Sequence, residues 1–580
     1  MSTLTACPLD CYDACEIVYD DKIYPRKDGH TQGFLCPHMN HYEEQEFIKK
    51  PRYKGEEISM PEALEILKKM IEETPKEKLL HYRNSGNFGL MQEVSDHFFA
   101  GIGATLTDGT LCDGAGEAGI LEGRGSNKNM PLSEIAKSEV VIIWGRNPHT
   151  TSSHLLPLLK GKTLIVIDPI KTDIAKMADL HIQIKPHGDM FLALLLTRFL
   201  HIEGSCDAEC LENFGSEFED FYELTQTVRI KAILEMIDVS LGRIGDILYM
   251  IQNKKVAIVV GVGIQKYRDG ADVMRAIDAF AFSAGLFGKE GCGVAYLGNS
   301  REGIESPFET KKAKRVSKVN TKFEDFDTVF VQGANPLAQM PNSTRVRESF
   351  GKVKNKVYFG LFENETSEAA DLVIPAKTFL GKNDIRSSYS HHALLDMPKV
   401  RDEEDGIGEY ELARYLCDAF GVQLEDEEHY LKHFRKYAVM NMEGVKEVES
   451  RENVPYKEGF DTDDGEFCFL EEYDFEMDME EDFFLVTPKA RTSLNSQFKR
   501  EKYVYVHPSL GFVDGEEIEI TSEIGSVVLP VKTSEDVRND CVVIYSGTPG
   551  VNNLTTDLHS IEGKSAVYQE KKVKIKKAGE

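Results

Sequence analysis

The chain has no apolar stretch of the roughly 18 residues that a membrane-spanning helix needs. The longest candidate, Met190–Leu196, is bounded by Asp189 and Arg198, so a core helix is expected there and direct membrane insertion is not. Positive charge is scarce: 68 Lys and Arg stand against 97 Asp and Glu, a net charge of −29. Such a surface repels phosphate backbones and anionic lipid, which argues against a nucleic-acid partner. Any anionic ligand must then be held by local features such as helix N-termini and a few well-placed cations. Cysteine is sparse as well. Eleven in 580 residues do not make a disulfide scaffold, and in a reducing compartment clustered cysteines more often bind metal. The first residues, Met1 to Cys7, show no basic start, apolar stretch or paired arginines, so the expected location is cytoplasmic.

What is present resembles an ordinary folded chain, with 41% hydrophobic and 28% charged residues, long enough for several packed units. Residues 1–55 are rich in Cys, aromatics and turns with little periodicity, which suits a small unit organised around a metal. Residues 56–445 alternate β-branched runs with helical patterns, as in Val140–Trp144, Leu164–Ile167, Val256–Val260, Thr328–Val331 and Val357–Phe359. This alternation predicts βαβ units and parallel sheets buried on both faces. Residues 446–482 turn acidic and read as a solvated surface linker. Residues 483–580 read as short strands between turns, a small β-rich domain.

The chain also repeats itself. Val141–Pro148, with Gly145-Arg146-Asn147-Pro148, leads through Ile165–Pro169 to Ala178-Asp179-Leu180; Thr328–Pro336, with Gly333-Ala334-Asn335-Pro336, leads through Tyr358–Phe362 to Ala370-Asp371-Leu372. Two copies of strand, Gly-x-Asn-Pro turn, helix and strand predict two related α/β units that place ligands at the carboxyl ends of their strands. The predicted units are 56–140 with 321–445, and 141–320.

Cys7, Cys11 and Cys15 are spaced x3 and x3, and Cys36 follows in Phe34-Leu35-Cys36-Pro37-His38. Four such thiolates suit a four-iron cluster with one Cys per iron, and structural zinc remains an alternative, although its ligands usually come in two knuckles. Cys112 lies in Thr110-Leu111-Cys112-Asp113-Gly114-Ala115-Gly116, ahead of a helix. There the dipole and free backbone N–H groups are expected to favour its thiolate, as a nucleophile or a soft metal ligand. The other six cysteines read as packing or surface thiols.

Taken in order, these motifs resemble the molybdopterin oxidoreductases with a bis-guanine-dinucleotide cofactor, the group of dimethyl sulfoxide reductase, formate dehydrogenase and nitrate reductase. The resemblance covers nearly the whole chain. It rests on the cysteine motif, Tyr82–Asn87, the Cys112 turn, Trp144–Pro148, Ile167-Asp168-Pro169, Lys185–Asp189, Gln332–Pro336, Glu365-Thr366, Ala370–Ala376, Thr487-Pro488-Lys489, Leu494–Phe498 and Val551–Leu554. It implies an α/β multidomain protein: an N-terminal iron–sulfur domain, two dinucleotide-binding units, and a C-terminal β-barrel-like domain that closes over the pterins. It implies a 4Fe-4S cluster on Cys7, Cys11, Cys15 and Cys36, and molybdenum or tungsten on Cys112. One guanine dinucleotide would meet Trp144, Gly145, Asn147, Asp168, Lys185, Gly188 and Asp189, with Lys160 and Lys171 as further cations; the other would meet Gly333, Asn335 and Glu365. The closing domain would contribute Thr487, Lys489, Arg491, Asn495, Ser496 and Asn552.

The implied activity is a two-electron oxygen-atom or proton-coupled transfer on a small molecule, with the cluster passing electrons to an external protein or subunit. Two alternatives share the scaffold: an electron-relay subunit like the large iron–sulfur subunit of respiratory complex I, and a redox-neutral hydratase. The chain departs from the family in three ways. His38 stands where a Lys or Arg is common, Asp113 rather than His follows Cys112, which argues against formate, and the chain is short, which predicts an open site. His149, His154, Arg386, His391 and His392 are the candidate substrate contacts.

Overall fold

The computed structural model describes residues 2–84, 89–441, 444–473 and 482–579. The acidic segment 474–481 and Ser85, Gly86 and Asn87 of the Tyr82–Asn87 motif therefore lie outside the described residues. The fold is mixed α/β with a C-terminal barrel. The N-terminal region is more regular than its sequence pattern predicts, because three short strands, Thr3–Ala6, Glu16–Asp20 and Lys22–Pro25, pair antiparallel. The Cys7 N–H donates to the Cys15 carbonyl at 2.8 Å and closes the loop that carries the first three cysteines.

Two sheets build the body. In one, five parallel strands run in the spatial order Leu180–Ile182, Thr163–Ile167, Val140–Trp144, Val256–Val260, Gly293–Ala295. The other has eight strands: Arg315–Ser317, Thr105–Asp108, Leu79–Arg83, Thr328–Gln332, Asn355–Gly360 and Leu372–Pro375, edged by antiparallel Arg52–Tyr53 and Glu56–Glu57. The central strands Val140–Trp144, Val256–Val260 and Thr328–Gln332 are buried at every position, as expected for sheets covered on both faces.

The internal repeat is structural. The neighbours 180–182, 163–167, 140–144, 256–260, 293–295 correspond one for one to 372–375, 355–360, 328–332, 79–83, 105–108. Gly145 N–H donates to Ile167 O and Gly333 N–H to Phe359 O, both at 2.8 Å. The carboxylates of Asp179 and Asp371 accept from the N–H groups of Leu164 and Lys356, also both at 2.8 Å. These equivalent bonds fix the same strand-end geometry in both units.

Beyond residue 446 the acidic stretch is no mere tether. Tyr456, Phe460, Phe467, Phe469 and Leu470 are buried in the core of the five-stranded unit, against rings such as Phe282 and Phe287. Acidic residues between the rings face outward, so mean composition conceals an aromatic strap. The chain then forms a closed six-stranded barrel, ordered Phe483–Val486, Cys541–Ile544, Val504–Val506, Ser526–Thr533, Glu517–Thr521, Lys572–Lys577. Val504, Ile518, Val531, Val542 and Ile544 fill it.

Candidate active site

The carboxyl ends of both sheets, the N-terminal cysteine loop and the barrel enclose one cavity of about 1200 Å³. That exceeds the roughly 300–1,000 Å³ usual for one small ligand and suits a bulky cofactor with substrate access. Its lining includes eleven Lys and Arg against twelve Asp and Glu, so the wall is close to neutral in a chain of net charge −29. Local placement has thus relieved the repulsion an anionic ligand would meet elsewhere.

Cys112 sits on this wall just before the helix Gly114–Arg124, which packs so closely that a Cβ on Gly119 would lie 2.3 Å from the Ala271 carbonyl. The turn is held from three sides. Cys112 N–H donates to Thr110 Oγ1, Ala115 N–H to Ser565 Oγ at 3.2 Å and Gly116 N–H to Gln265 Oε1 at 3.0 Å. The Cys112 carbonyl accepts from Gln265 Nε2 at 2.8 Å and from Lys266 Nζ. The amides expected to favour a thiolate are therefore already engaged. Burial, followed by the Asp113 carboxylate, pushes the thiol up to about 12, and Lys266 opposes that rise. Burial also pushes Lys266 down to about 8 and Asp113 up to about 7.

Cys7, Cys11, Cys15 and Cys36 line the same cavity. Leu9 N–H donates to Cys7 Sγ and Asp13 N–H to Cys11 Sγ, each at 3.5 Å. Burial raises all four thiols, and Cys36 adds a repulsive contribution to each of Cys7, Cys11 and Cys15, as neighbours would. Among the described residues no group of three or more His, Cys, Asp or Glu side chains stands ready-made for a single metal ion.

At the two repeat turns, Gly145 and Gly333 take left-handed backbone, with φ of +62 and +57, and Asn147 and Asn335 precede the short helices Pro148–Thr151 and Pro336–Gln339. Among the described residues Asn147 Oδ1 and Asn84 Oδ1 are buried without a partner, acceptors left for a ligand. Asp168 and Asp189 face the cavity, and burial raises them to about 7 and about 6. Trp144 is in the core, where its Nε1 donates to Asp189 Oδ1 at 2.7 Å and so aims that carboxylate.

The cavity brings together Cys112, Gly145, Asn147, Asp168, Asp189, Gly333, Asn335, Thr487, Lys489, Arg491, Asn495, Ser496 and Asn552, together with Lys171. Trp144, Lys185, Gly188, Glu365 and Lys160 do not line it. The Lys185 ammonium lies over Phe484 of the barrel, at 5.4 Å. Gly188 caps the helix Asp189–Ile202. Glu365 is taken up by Asn335 Nδ2 at 2.8 Å and Arg500 Nη1 at 2.6 Å. Of the five candidate substrate contacts only His149 reaches the cavity. His154 is buried between Asp13 and Phe34 near Cys15, while Arg386 and His391 hold carbonyls of the cysteine loop. Sequence reasoning missed Gln265, Lys266 and Lys318. The first two follow Gly261-Val262-Gly263 at a strand end, a usable signal, whereas Lys318 has none.

Fold and cavity together define a class: a protein with two related α/β units, closed by a barrel around one large cofactor-sized cavity with a cysteine on its wall. The molybdopterin oxidoreductase model matches residues 48–400, and the molydopterin dinucleotide binding domain model matches 483–569. The chain belongs to the molybdopterin oxidoreductase family and is a molybdopterin-dependent oxidoreductase. It is 30% identical over 443 residues, 69% of this chain and 66% of the relative, to the probable oxidoreductase YyaE of Bacillus subtilis (strain 168). It is 24% identical to the probable oxidoreductase YoaE of the same organism, across 99% of this chain and 98% of that one. Acetylene hydratase from Pelobacter acetylenicus superposes with a TM-score of 0.77 over 99% of this chain and 100% of its own at 15% identity, a likeness of fold alone. Among the described residues no helix is long and apolar enough to cross a membrane.

Proposed function

We propose that the chain catalyses a two-electron oxidation or reduction of a small molecule, loaded with molybdenum or tungsten between two molybdopterin guanine dinucleotides and with a 4Fe-4S cluster. When bound, the metal would supply oxygen-atom or proton-coupled two-electron chemistry, and the cluster a one-electron connection to an external electron-transfer protein or subunit. The observation that supports this reading best is the sharing of one cavity by Cys112, the four N-terminal thiols and both Gly-x-Asn-Pro turns.

Cys112 would ligate the metal as a soft donor, with its turn fixed by Gln265 and Lys266. Cys7, Cys11, Cys15 and Cys36 would hold the cluster, and the N–H···S bonds from Leu9 and Asp13 would temper its charge. Asn147, Asp168 and Asp189 would take the polar edge of one dinucleotide, since acceptors facing the cavity match guanine and ribose donors, and Gly333 with Asn335 would lie along the other. Thr487, Lys489, Arg491, Asn495, Ser496 and Asn552 would close over both from the barrel side. A cytoplasmic location and the absence of a nucleic-acid partner are part of the proposal.

Protein purified without oxygen is expected to carry about four irons per chain, one Mo or W, and guanine nucleotide released on denaturation. Iron alone would favour the relay, and turnover without electron donor or acceptor would favour the hydratase. Cys112→Ala is expected to keep the iron while losing the Mo or W, or altering its spin-resonance signal; an unchanged signal would remove Cys112 from this role.

A further inference from the structure

Arg386 ends the short strand Asp384–Arg386, which pairs with Leu395–Met397 behind the cysteine loop. It is 0% exposed, and among the described residues it forms no ion pair with a carboxylate. Its Nη2 donates to the Leu9 carbonyl at 2.6 Å, while Nε and Nη1 are buried with no partner among the described residues. A buried guanidinium with neither counter-charge nor full hydrogen bonding costs several kcal/mol. Such a group calls for an acceptor or an anion within reach of its unmet N–H groups.

The surroundings indicate where that anion belongs. Leu9 stands between Cys7 and Cys11, and the peptide N–H that precedes its Arg386-bound carbonyl points at Cys7 Sγ. The residues after Arg386 continue the same strap with neutral groups: Ser388 Oγ donates to the Tyr12 carbonyl at 3.2 Å, and His391 Nε2 meets the Asp13 carbonyl at 3.0 Å. Only Arg386 brings a permanent charge, and its planar fork can hold Leu9 with one arm and present donors with the other.

We propose that Arg386 is a positioning residue for the cluster held by Cys7, Cys11, Cys15 and Cys36, and that its two unused donors hydrogen-bond cluster or cysteine sulfur and raise the reduction potential. This rests on the iron–sulfur reading given above. A cluster with four thiolate ligands is anionic and gains further negative charge on reduction, so a nearby cation and N–H···S bonds favour the reduced state.

The test is a dithionite titration of full-length, anaerobically purified protein followed by spin resonance, with iron content and thermal midpoint measured alongside. Arg386→Gln is expected to retain iron and to shift the cluster midpoint to more negative potential. Arg386→Lys, which keeps the charge but not the fork, is expected to shift it less in the same direction, and it decides the matter should the glutamine variant fail to fold. Ser388→Ala, which loosens the same loop without removing charge, is expected to lower the thermal midpoint and leave the potential in place. An unchanged potential in a folded, iron-bearing Arg386 variant, or an equal shift in Ser388→Ala, overturns the proposal. Wild-type protein devoid of iron overturns the cluster reading itself, a distinguishable result.

Discussion

Lys318 is buried on the cavity wall, where burial first and Arg83 second push its ammonium down to about 7 from 10.5. Between those two values the unfolded chain binds more protons than the folded one, so this group makes stability rise with pH and imposes its penalty as pH falls towards 7. In cofactor-free protein Lys318→Met is therefore expected to gain on the parent as pH falls. The gap should widen by about 2–3 kcal/mol between pH 9 and pH 7, at about 1.4 kcal/mol per pH unit. Denaturant unfolding at both values checks this, and a pH-independent gap would contradict it. Lys318 also shows where single residues escape reading. In sequence it is one of 68 basic residues, and only the fold buries it. A turn marks Cys112 and a repeat marks Asn147, and both line the cavity, whereas His154 meets Asp13 across 141 positions of chain, which no local pattern records.

Strands were the most legible elements. Val140–Trp144, Val256–Val260 and Glu517–Thr521 form where β-branched runs predict them, since those runs are buried from both sides or alternate in a barrel. Arg315–Ser317 was not legible, because its partner Thr105–Asp108 lies far away in sequence, and Arg52–Tyr53 joins the sheet only through the equally distant Leu372–Pro375. The aromatic strap escaped for a different reason: its rings are diluted among carboxylates, and a charge average hides their spacing. The two turn glycines differ in a testable way. A Cβ on Gly145 would sit 2.5 Å from Ile264 Cγ2, whereas one on Gly333 would sit 3.2 Å from Asn84 Nδ2. Both substitutions carry the left-handed penalty of about 1–2 kcal/mol, and overpacking against Ile264 adds about 1–3 more. Gly145→Ala is thus expected to lower the unfolding midpoint clearly further than Gly333→Ala, as calorimetry of the two variants would register.

The molecule as a whole carries a net charge of −29, yet its central cavity is lined by nearly equal numbers of basic and acidic side chains. Self-repulsion is therefore a property of the outer surface, where salt screens it. Raising ionic strength from about 0.01 to 0.15 M, which shortens the Debye length from about 30 to 8 Å, is expected to raise the thermal midpoint; a fall would show that attractive surface pairs dominate instead. At this scale the sequence announced two related units and a β domain, and their repeat proved to be one sheet order used twice. It could not announce that one cavity draws its wall from residue 7 to residue 569.

That wall closes across a long span of chain. Thr110 pairs with Ser565, and Ser565 also caps the helix that begins beside Cys112. Two segments some 450 positions apart are thus stitched together beside Cys112. A chain lacking Ser565 is therefore expected to lose the cross-link that steadies the turn before Cys112, and with it one side of the vessel that any bulky guest would press against.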